Sequence, residues 1–348
     1  MKKAVLTGIR RMEIVHAETP RIIRDTEVLI KMAVVGVCGS DIHYYVDGKI
    51  GSQVVTYPFA VGHEGAGVIE AVGAKVTSVK PGDRVAIEPA MPCFACDQCR
   101  AGRPHTCRKL RFLGCPGQAE GCLAEYIVMP ETSCIRLKDS MSFEEAAISE
   151  PLAIGVYSVR QSIPMKNAAI GILGSGPIGL SVLLPALAQG ARRIYVADKI
   201  DSRCALAARM GAYWTGNPAK QDIAAAINAA EPGQLDAVFE CCGQQEALDQ
   251  ALEILKPGGK LMIVGIPREA RVSFSIDTMR HKEICVQNVR RQNHCVQLAL
   301  DMIDNRAFNV MPMVTHRFPF DKAGDAFNLV ADLKDGVVKA MIQFDGMQ

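Results

Sequence analysis

Two textures of apolar spacing divide this chain. Up to Glu150, short runs alternate apolar and polar positions, or string β-branched residues together, between glycines: EVLIKMAVVGVCG, VGHEGAGVIEAVGAKV, KPGDRVAIEP and CLAEYIVMP. Alternation with a period of two predicts mostly antiparallel strands with one buried face. After Glu150-Pro151 the period lengthens, and AAIGILG, PIGLSVLLPALAQGA, RRIYVAD, SRCALAARMGA, LDAVFECCG, QEALDQALEILKPGG and KLMIVGI read as strand and helix in turn. That order predicts a doubly wound parallel sheet with helices on both faces. From about Arg280 the regularity fades, and a helical stretch Asp321 to Leu333 precedes a last strand, Val337 to Phe344. The tail is expected to rejoin the first domain, so residues 1–151 and 281–348 form one domain and 152–280 the other. No repeat, low-complexity run or Ser/Gly linker separates them.

One apolar stretch invites a different reading. Asn167 to Ala191 carries no charge and is long enough to cross a bilayer. Gly171, Gly174, Gly176, Pro177 and Gly179 break it, and Pro185 interrupts it again, so a buried strand, turn and helix is expected instead. With 348 residues, 49% of them hydrophobic, the chain can build two cores. Thirty-nine basic residues against 37 acidic leave a formal net charge of +2, which gives no global reason to bind nucleic acid or an anionic membrane. A small, roughly neutral partner is favoured. The amino terminus MKKAVLTGIRRMEI has too short an uncharged run for a secretory segment, and a cytoplasmic protein is expected. Thirteen cysteines is an odd number, and four of them crowd together, which fits metal-bound thiolates in a reducing compartment better than disulfides.

The motif GSGPIG, Gly174 to Gly179, follows the apolar run AAIGIL and opens an apolar helix, where backbone amides can receive a pyrophosphate. Pro177 suits the first helical turn, with Ile178 after it. The strand RRIYVAD ends at Asp198, nineteen residues after Gly179, where a carboxylate can accept hydrogen bonds from both ribose hydroxyls and repel a 2'-phosphate. NAD is therefore expected over NADP. Lys199 could tolerate a phosphate but reads as a solvated surface lysine. Cys241-Cys242-Gly243 and Val264-Gly265, at the ends of later strands, are expected to line the same cofactor, with Arg203.

Cys93, Cys96, Cys99 and Cys107, in CFACDQCRAGRPHTC, can converge on one tetrahedral metal without help from the rest of the chain. The first three are spaced as in a ferredoxin, but the fourth follows after seven residues and precedes Arg, not Pro, which disfavours an iron–sulfur cluster. A structural zinc lobe at about residues 90–110 is expected. Cys38, in GVCGSDIHYY, and His63-Glu64, in VGHEGAG, offer a thiolate, an imidazole and a carboxylate, a set that can hold zinc and leave a position open. Neighbouring residues on a regular strand point to opposite faces, so His63 and Glu64 can share one metal only if the backbone turns there. Gly62 and Gly65 would permit that turn.

Taken together, these residues resemble the zinc-containing medium-chain alcohol dehydrogenases, and within them the sorbitol and xylitol, or polyol, dehydrogenase branch. GHEGAGVIEAVG is similar to the family's zinc signature, CGSDIHYY and DGKIG to the polyol branch, and EPLAIG, GSGPIG, VRRQN and VTHRFPF to later landmarks. The resemblance spans essentially the whole chain. It implies a GroES-like, mostly β catalytic domain joined to a Rossmann cofactor domain. It implies Cys38, His63 and Glu64 around a catalytic zinc, with Glu150 beside it directly or through a water, and a second, structural zinc. Asp41 would orient His63, Ser40 would bond the reacting hydroxyl, and His43 would pass its proton toward solvent. Arg290 would hold substrate hydroxyls, with Tyr44 near the same pocket. Leu113 and Pro116 depart from the animal sorbitol enzymes, which carry an aromatic and a hydroxyl residue in that loop.

The activity so implied is hydride transfer from a secondary alcohol of a polyol to NAD, in a homotetramer or homodimer, without nucleic-acid or membrane partners. A dehydrogenase of vicinal diols such as butanediol, or of threonine, would use the same metals and cofactor. A non-catalytic nucleotide or zinc binder is the reading from another class, and the intact set Cys38, His63, Glu64 and Glu150 counts against it.

Overall fold

A computed structural model describes residues 1–345. The chain divides into two units, Met1–Glu150 with Ala299 onward, and Pro151–Leu298.

The first unit is built on a seven-stranded sheet whose central strand is Glu27–Gly36. That strand alternates buried and half-buried residues from Glu27 to Lys31 and is then buried throughout from Met32 to Gly36. It pairs antiparallel with Glu64–Val72, Tyr126–Pro130 and the last strand, Lys339–Gln343. The last strand also lies parallel to Val314–Pro319, so the tail rejoins the first unit through a strand in its sheet. Val28, Ile30, Met32, Ile69, Val85, Ile87 and Ile342 are among the core residues beneath it.

The second unit holds six parallel strands. Numbered in chain order within the sheet, they run 3-2-1-4-5-6, the doubly wound arrangement. The first, Ala169–Leu173, and the fourth, Leu235–Glu240, are neighbours at the point where the order reverses. The sixth, Cys285–Asn288, pairs with Leu255–Ile263. This strand corrects the expected boundary at residue 281: the chain stays with the parallel sheet through Cys285–Asn288 and joins the first unit from Ala299.

The division between the units at Glu150-Pro151 falls inside the 19-residue helix Phe143–Gln161. Two other expectations are corrected. Pro185 does not interrupt the helix Pro177–Ala188. Every residue from Gly179 to Ala186 is buried there, and that packing outweighs the roughly 3 kcal/mol that an interior proline costs. KPGG does not close a helix: the helix Gln245–Ile254 stops before it, and Leu255–Ile263 is a strand whose register with Leu235–Glu240 is irregular there. No helix among the described residues is long and apolar enough to cross a membrane.

Candidate functional site

Cys38 caps the helix Gly39–Asp47 with extended backbone, so its side chain leaves the chain just where the buried strand Glu27–Gly36 has ended. Its N–H donates to Asp41 Oδ2 at 3.3 Å. The other Asp41 oxygen accepts from the Gly62 N–H at 3.2 Å and lies 3.4 Å from His63 Nδ1. Asp41 is wholly buried, so this one carboxylate ties the helix start to the loop that carries His63 and fixes the imidazole's orientation.

Gly62 has φ +97°, and the next strand begins only at Glu64. The backbone therefore turns before the pair, and His63 and Glu64 reach one place. Gly65 plays a different part from the one expected. It lies within the strand, and a Cβ there would come within 2.8 Å of Met32 Cε and 3.1 Å of Cys122 Sγ, so its smallness serves packing. One ligand atom each from Cys38, His63 and Glu64 all lie within 4.8 Å of one another. A thiolate, an imidazole and a carboxylate gathered this closely form a donor set that fits a zinc ion with an open position.

Glu150 is not one of that convergent set, but its carboxyl is buried nearby. Burial pushes it up to about 7, His63 opposes the shift, and the charges of Glu64 and Glu88 add to it. Its Oε2 has no hydrogen-bond partner. At His63 burial acts to lower the pKa, but Asp41 and Cys38 outweigh it and raise it well above the usual value. The shift at His63 reports acidic neighbours that favour a cation, whereas that at Glu150 comes first from its burial.

The sequence reading missed Lys339. It is buried, its Nζ donates to both Glu64 oxygens at 2.7 and 2.6 Å, and it donates to the Val37 carbonyl at 3.0 Å. Burial pulls its pKa down, but Glu64, Cys38 and Glu150 hold it above the ordinary value. The only signal was a lone charge inside the apolar run VVKAMI.

Ser40 donates to Cys38 Sγ at 3.3 Å, and His43 Nδ1 sits 3.2 Å from Asp47. Tyr44 is buried, and its hydroxyl donates to Gln53 at 3.1 Å and lies 3.8 Å from Cys115 Sγ. Leu113 and Pro116 are buried.

The four lobe cysteines converge as well. Sulfur separations are 3.5 Å for Cys93 and Cys107, 3.6 Å for Cys96 and Cys99, and 3.8 Å for Cys96 and Cys107. A tetrahedron of thiolates about a zinc ion has edges of about 3.8 Å, from Zn–S bonds of roughly 2.3 Å. All four are free thiols. Backbone N–H groups of Cys99 and Arg108 draw Cys96 down to about 6, whereas burial and the neighbouring sulfurs push Cys99 up to about 12. Four such sulfurs ionise together only around a cation.

In the second unit, Gly174 has φ +100°, and a Cβ on Gly179 would sit 1.8 Å from the Gly174 carbonyl oxygen, so the helix start packs directly on the turn. Gly176, by contrast, faces open space apart from Arg203 at 3.5 Å, which leaves room for a phosphate. Pro177 and Ile178 open the helix. Asp198 follows the strand Arg193–Ala197, and its two oxygens accept from the N–H groups of Ser175 at 2.7 Å and Ile200 at 2.9 Å. It therefore braces the glycine turn, a role that spacing alone did not suggest. Lys199 is exposed, and burial lowers the Arg203 pKa against the pull of Asp198.

Gly243 and Gly265 pack together next to Cys242, which lies against the Gly174 turn, and the Val264 N–H donates to the Glu240 carbonyl at 2.9 Å. A Cβ on Gly265 would approach the Gly243 nitrogen to 2.4 Å. Glu240, also unforeseen, accepts from the N–H groups of Cys242 and Gly243 at 2.7 and 2.5 Å and fixes that loop. Arg290 is exposed, just beyond the sixth strand.

Residues 24–139 match the family described as alcohol dehydrogenase GroES-like domain, and residues 177–305 match zinc-binding dehydrogenase. A sorbitol dehydrogenase of Bacillus subtilis is 35% identical over 98% of this chain and 97% of its own. An Escherichia coli oxidoreductase/dehydrogenase of unknown specificity superposes with a TM-score of 0.93 at 33% identity, covering 99% of both chains. A Sinorhizobium meliloti protein described as a zinc-binding dehydrogenase, solved with NADP bound, superposes with a TM-score of 0.89 at 27% identity over 98% of each chain.

Proposed function

The chain belongs to the zinc-binding alcohol dehydrogenase family, and from that membership we propose that this oxidoreductase converts a secondary alcohol of a polyol, of the sorbitol or xylitol kind, to a ketose with NAD. The observation that carries the reading is the convergence of half-buried Cys38 with buried His63 and Glu64, in a chain similar over 98% of its length to a sorbitol dehydrogenase. Zinc bound by these three residues supplies the charge that lowers the pKa of a bound hydroxyl, and NAD supplies the hydride acceptor.

The chain's own residues do the rest. Asp41 holds the His63 ring, Ser40 bonds the reacting hydroxyl, and His43 hands its proton toward solvent. Glu150 would help to hold the metal, directly or through a water. Arg290 binds remote substrate hydroxyls, and Cys93, Cys96, Cys99 and Cys107 hold a second, structural zinc. The assembly we propose is a homotetramer or homodimer.

A vicinal-diol or threonine dehydrogenase is the second reading. It draws support from the buried apolar pair Leu113 and Pro116 and from the engaged Tyr44 hydroxyl, which leave fewer polar groups for a long polyol. Initial rates with sorbitol, xylitol, ribitol, galactitol, 2,3-butanediol and threonine, each with NAD and with NADP, test both. The highest kcat/KM is expected for a polyol with NAD; a clear preference for butanediol or threonine would replace the polyol reading.

Asp198 is expected to set the cofactor, because its carboxylate would lie against a 2'-phosphate. Asp198→Ala should narrow the kcat/KM ratio of NAD to NADP by about tenfold, or roughly 1.4 kcal/mol. The ratio is the readout because the loss of support for the Ser175 N–H affects both cofactors. Preference for NADP in the unaltered protein would overturn the assignment.

A further inference from the structure

Lys339 is only 1% exposed, and nothing in a dehydrogenase reaction requires a lysine in the interior of a sheet. An ammonium carries three N–H donors, and here they serve both oxygens of Glu64 and the carbonyl of Val37, the residue before Cys38. The Val37 N–H in turn donates to Ala340 at 2.9 Å, so the last strand grips the segment just before Cys38 from both sides of one residue. Gly36, which faces Glu64 in the strand register, completes the arrangement. A Cβ there would lie 2.3 Å from Glu64 Oε2, so the carboxylate occupies space that only glycine leaves.

The charge count makes this pair more than a brace. A thiolate from Cys38 and a carboxylate from Glu64 would neutralise a divalent cation and weaken it as a Lewis acid, and the Glu150 carboxyl lies close to the same groups. An ammonium bonded to both oxygens of the carboxylate withdraws charge from it and leaves the centre one unit more positive. At low dielectric a unit charge acts strongly over such distances. We infer that Lys339 is a positioning residue that holds Glu64 and screens its charge, so that a metal shared with Cys38 and His63 is bound less tightly but polarises a ligand more strongly. The inference rests on the metal reading of that set given under Proposed function.

The test uses Co2+ as the probe, on metal-stripped full-length protein titrated against a chelator, with the signal of the Cys38 set taken as the part lost in Cys38→Ser. Lys339→Met is expected to bind Co2+ at that set at least tenfold more tightly, with a shifted sulfur-to-cobalt absorption band and a lower kcat. Equal or weaker binding by folded Lys339→Met would overturn the inference and reduce Lys339 to a structural prop. Should Lys339→Met fail to fold, Glu64→Gln/Lys339→Met leaves no buried charge unpaired and is compared with Glu64→Gln alone. Tighter Co2+ binding by the double variant supports the effect of the Lys339 charge on the metal, and equal or weaker binding overturns the inference. An unaltered protein with no Cys38-dependent Co2+ signal would instead sink the metal reading itself.

Discussion

Replacing Cys38 with serine is expected to abolish turnover while leaving the melting temperature close to that of the unaltered protein. A neutral hydroxyl cannot replace a thiolate as a zinc ligand, and the polarisation lost with the metal is worth several kcal/mol, on the order of a thousandfold or more in kcat. The fold has little reason to suffer. Cys38 occupies the N-cap of the helix Gly39–Asp47, where serine is a favoured residue, and its N–H bond to Asp41 does not involve the side chain. Metal analysis should find one ion fewer per chain. Retained turnover would remove Cys38, and with it the whole convergent set, from the chemistry.

Cys93→Ser should show the opposite profile: a marked loss of stability, with the rate per folded molecule largely kept. The segment holding the four cysteines contains only the short helices Asp97–Arg100 and Pro104–Thr106, and Cys93, Cys96 and Cys99 are all partly exposed. With so little apolar burial of its own, the lobe depends on metal ligation for its order, as small metal-folded domains do. A loss of about 3 kcal/mol would lower the melting temperature by roughly 6 to 12 °C for a domain of this size. Chelation of the unaltered protein should reproduce most of that drop and expose the lobe to proteases. Equal melting losses for Cys38→Ser and Cys93→Ser would contradict the division of roles between the two sets.

Wherever the partners are close in sequence, the site was legible before the structure. The four lobe cysteines lie between Cys93 and Cys107, and the glycine turn sits directly between its strand and its helix, so spacing and periodicity carry the geometry. The turn at Gly62 was likewise readable, because only a bend brings His63 and Glu64 to one place. Local rules failed where burial overrode them. Pro151 and Pro185 both sit inside helices, and KPGG runs within a strand. The sixth parallel strand, Cys285–Asn288, was too short and too polar to be told from irregular chain.

What the amino-acid sequence determined by itself is therefore the pair of domain types, the donor residues and the nucleotide turn. Each is set by residue type and by spacings of a few positions. The tertiary structure alone decided the contacts that give those donors their charge and direction. Asp41 reaches His63 across 22 positions, and Lys339 reaches Glu64 across 275. Asp198 braces Ser175 from 23 residues away, and Glu150 keeps an unpaired, buried oxygen beside the convergent set. Such pairings leave no periodic trace, because they arise when sheet pairing brings distant strands together and excludes water. A buried charge must then find its partner wherever the fold has placed one.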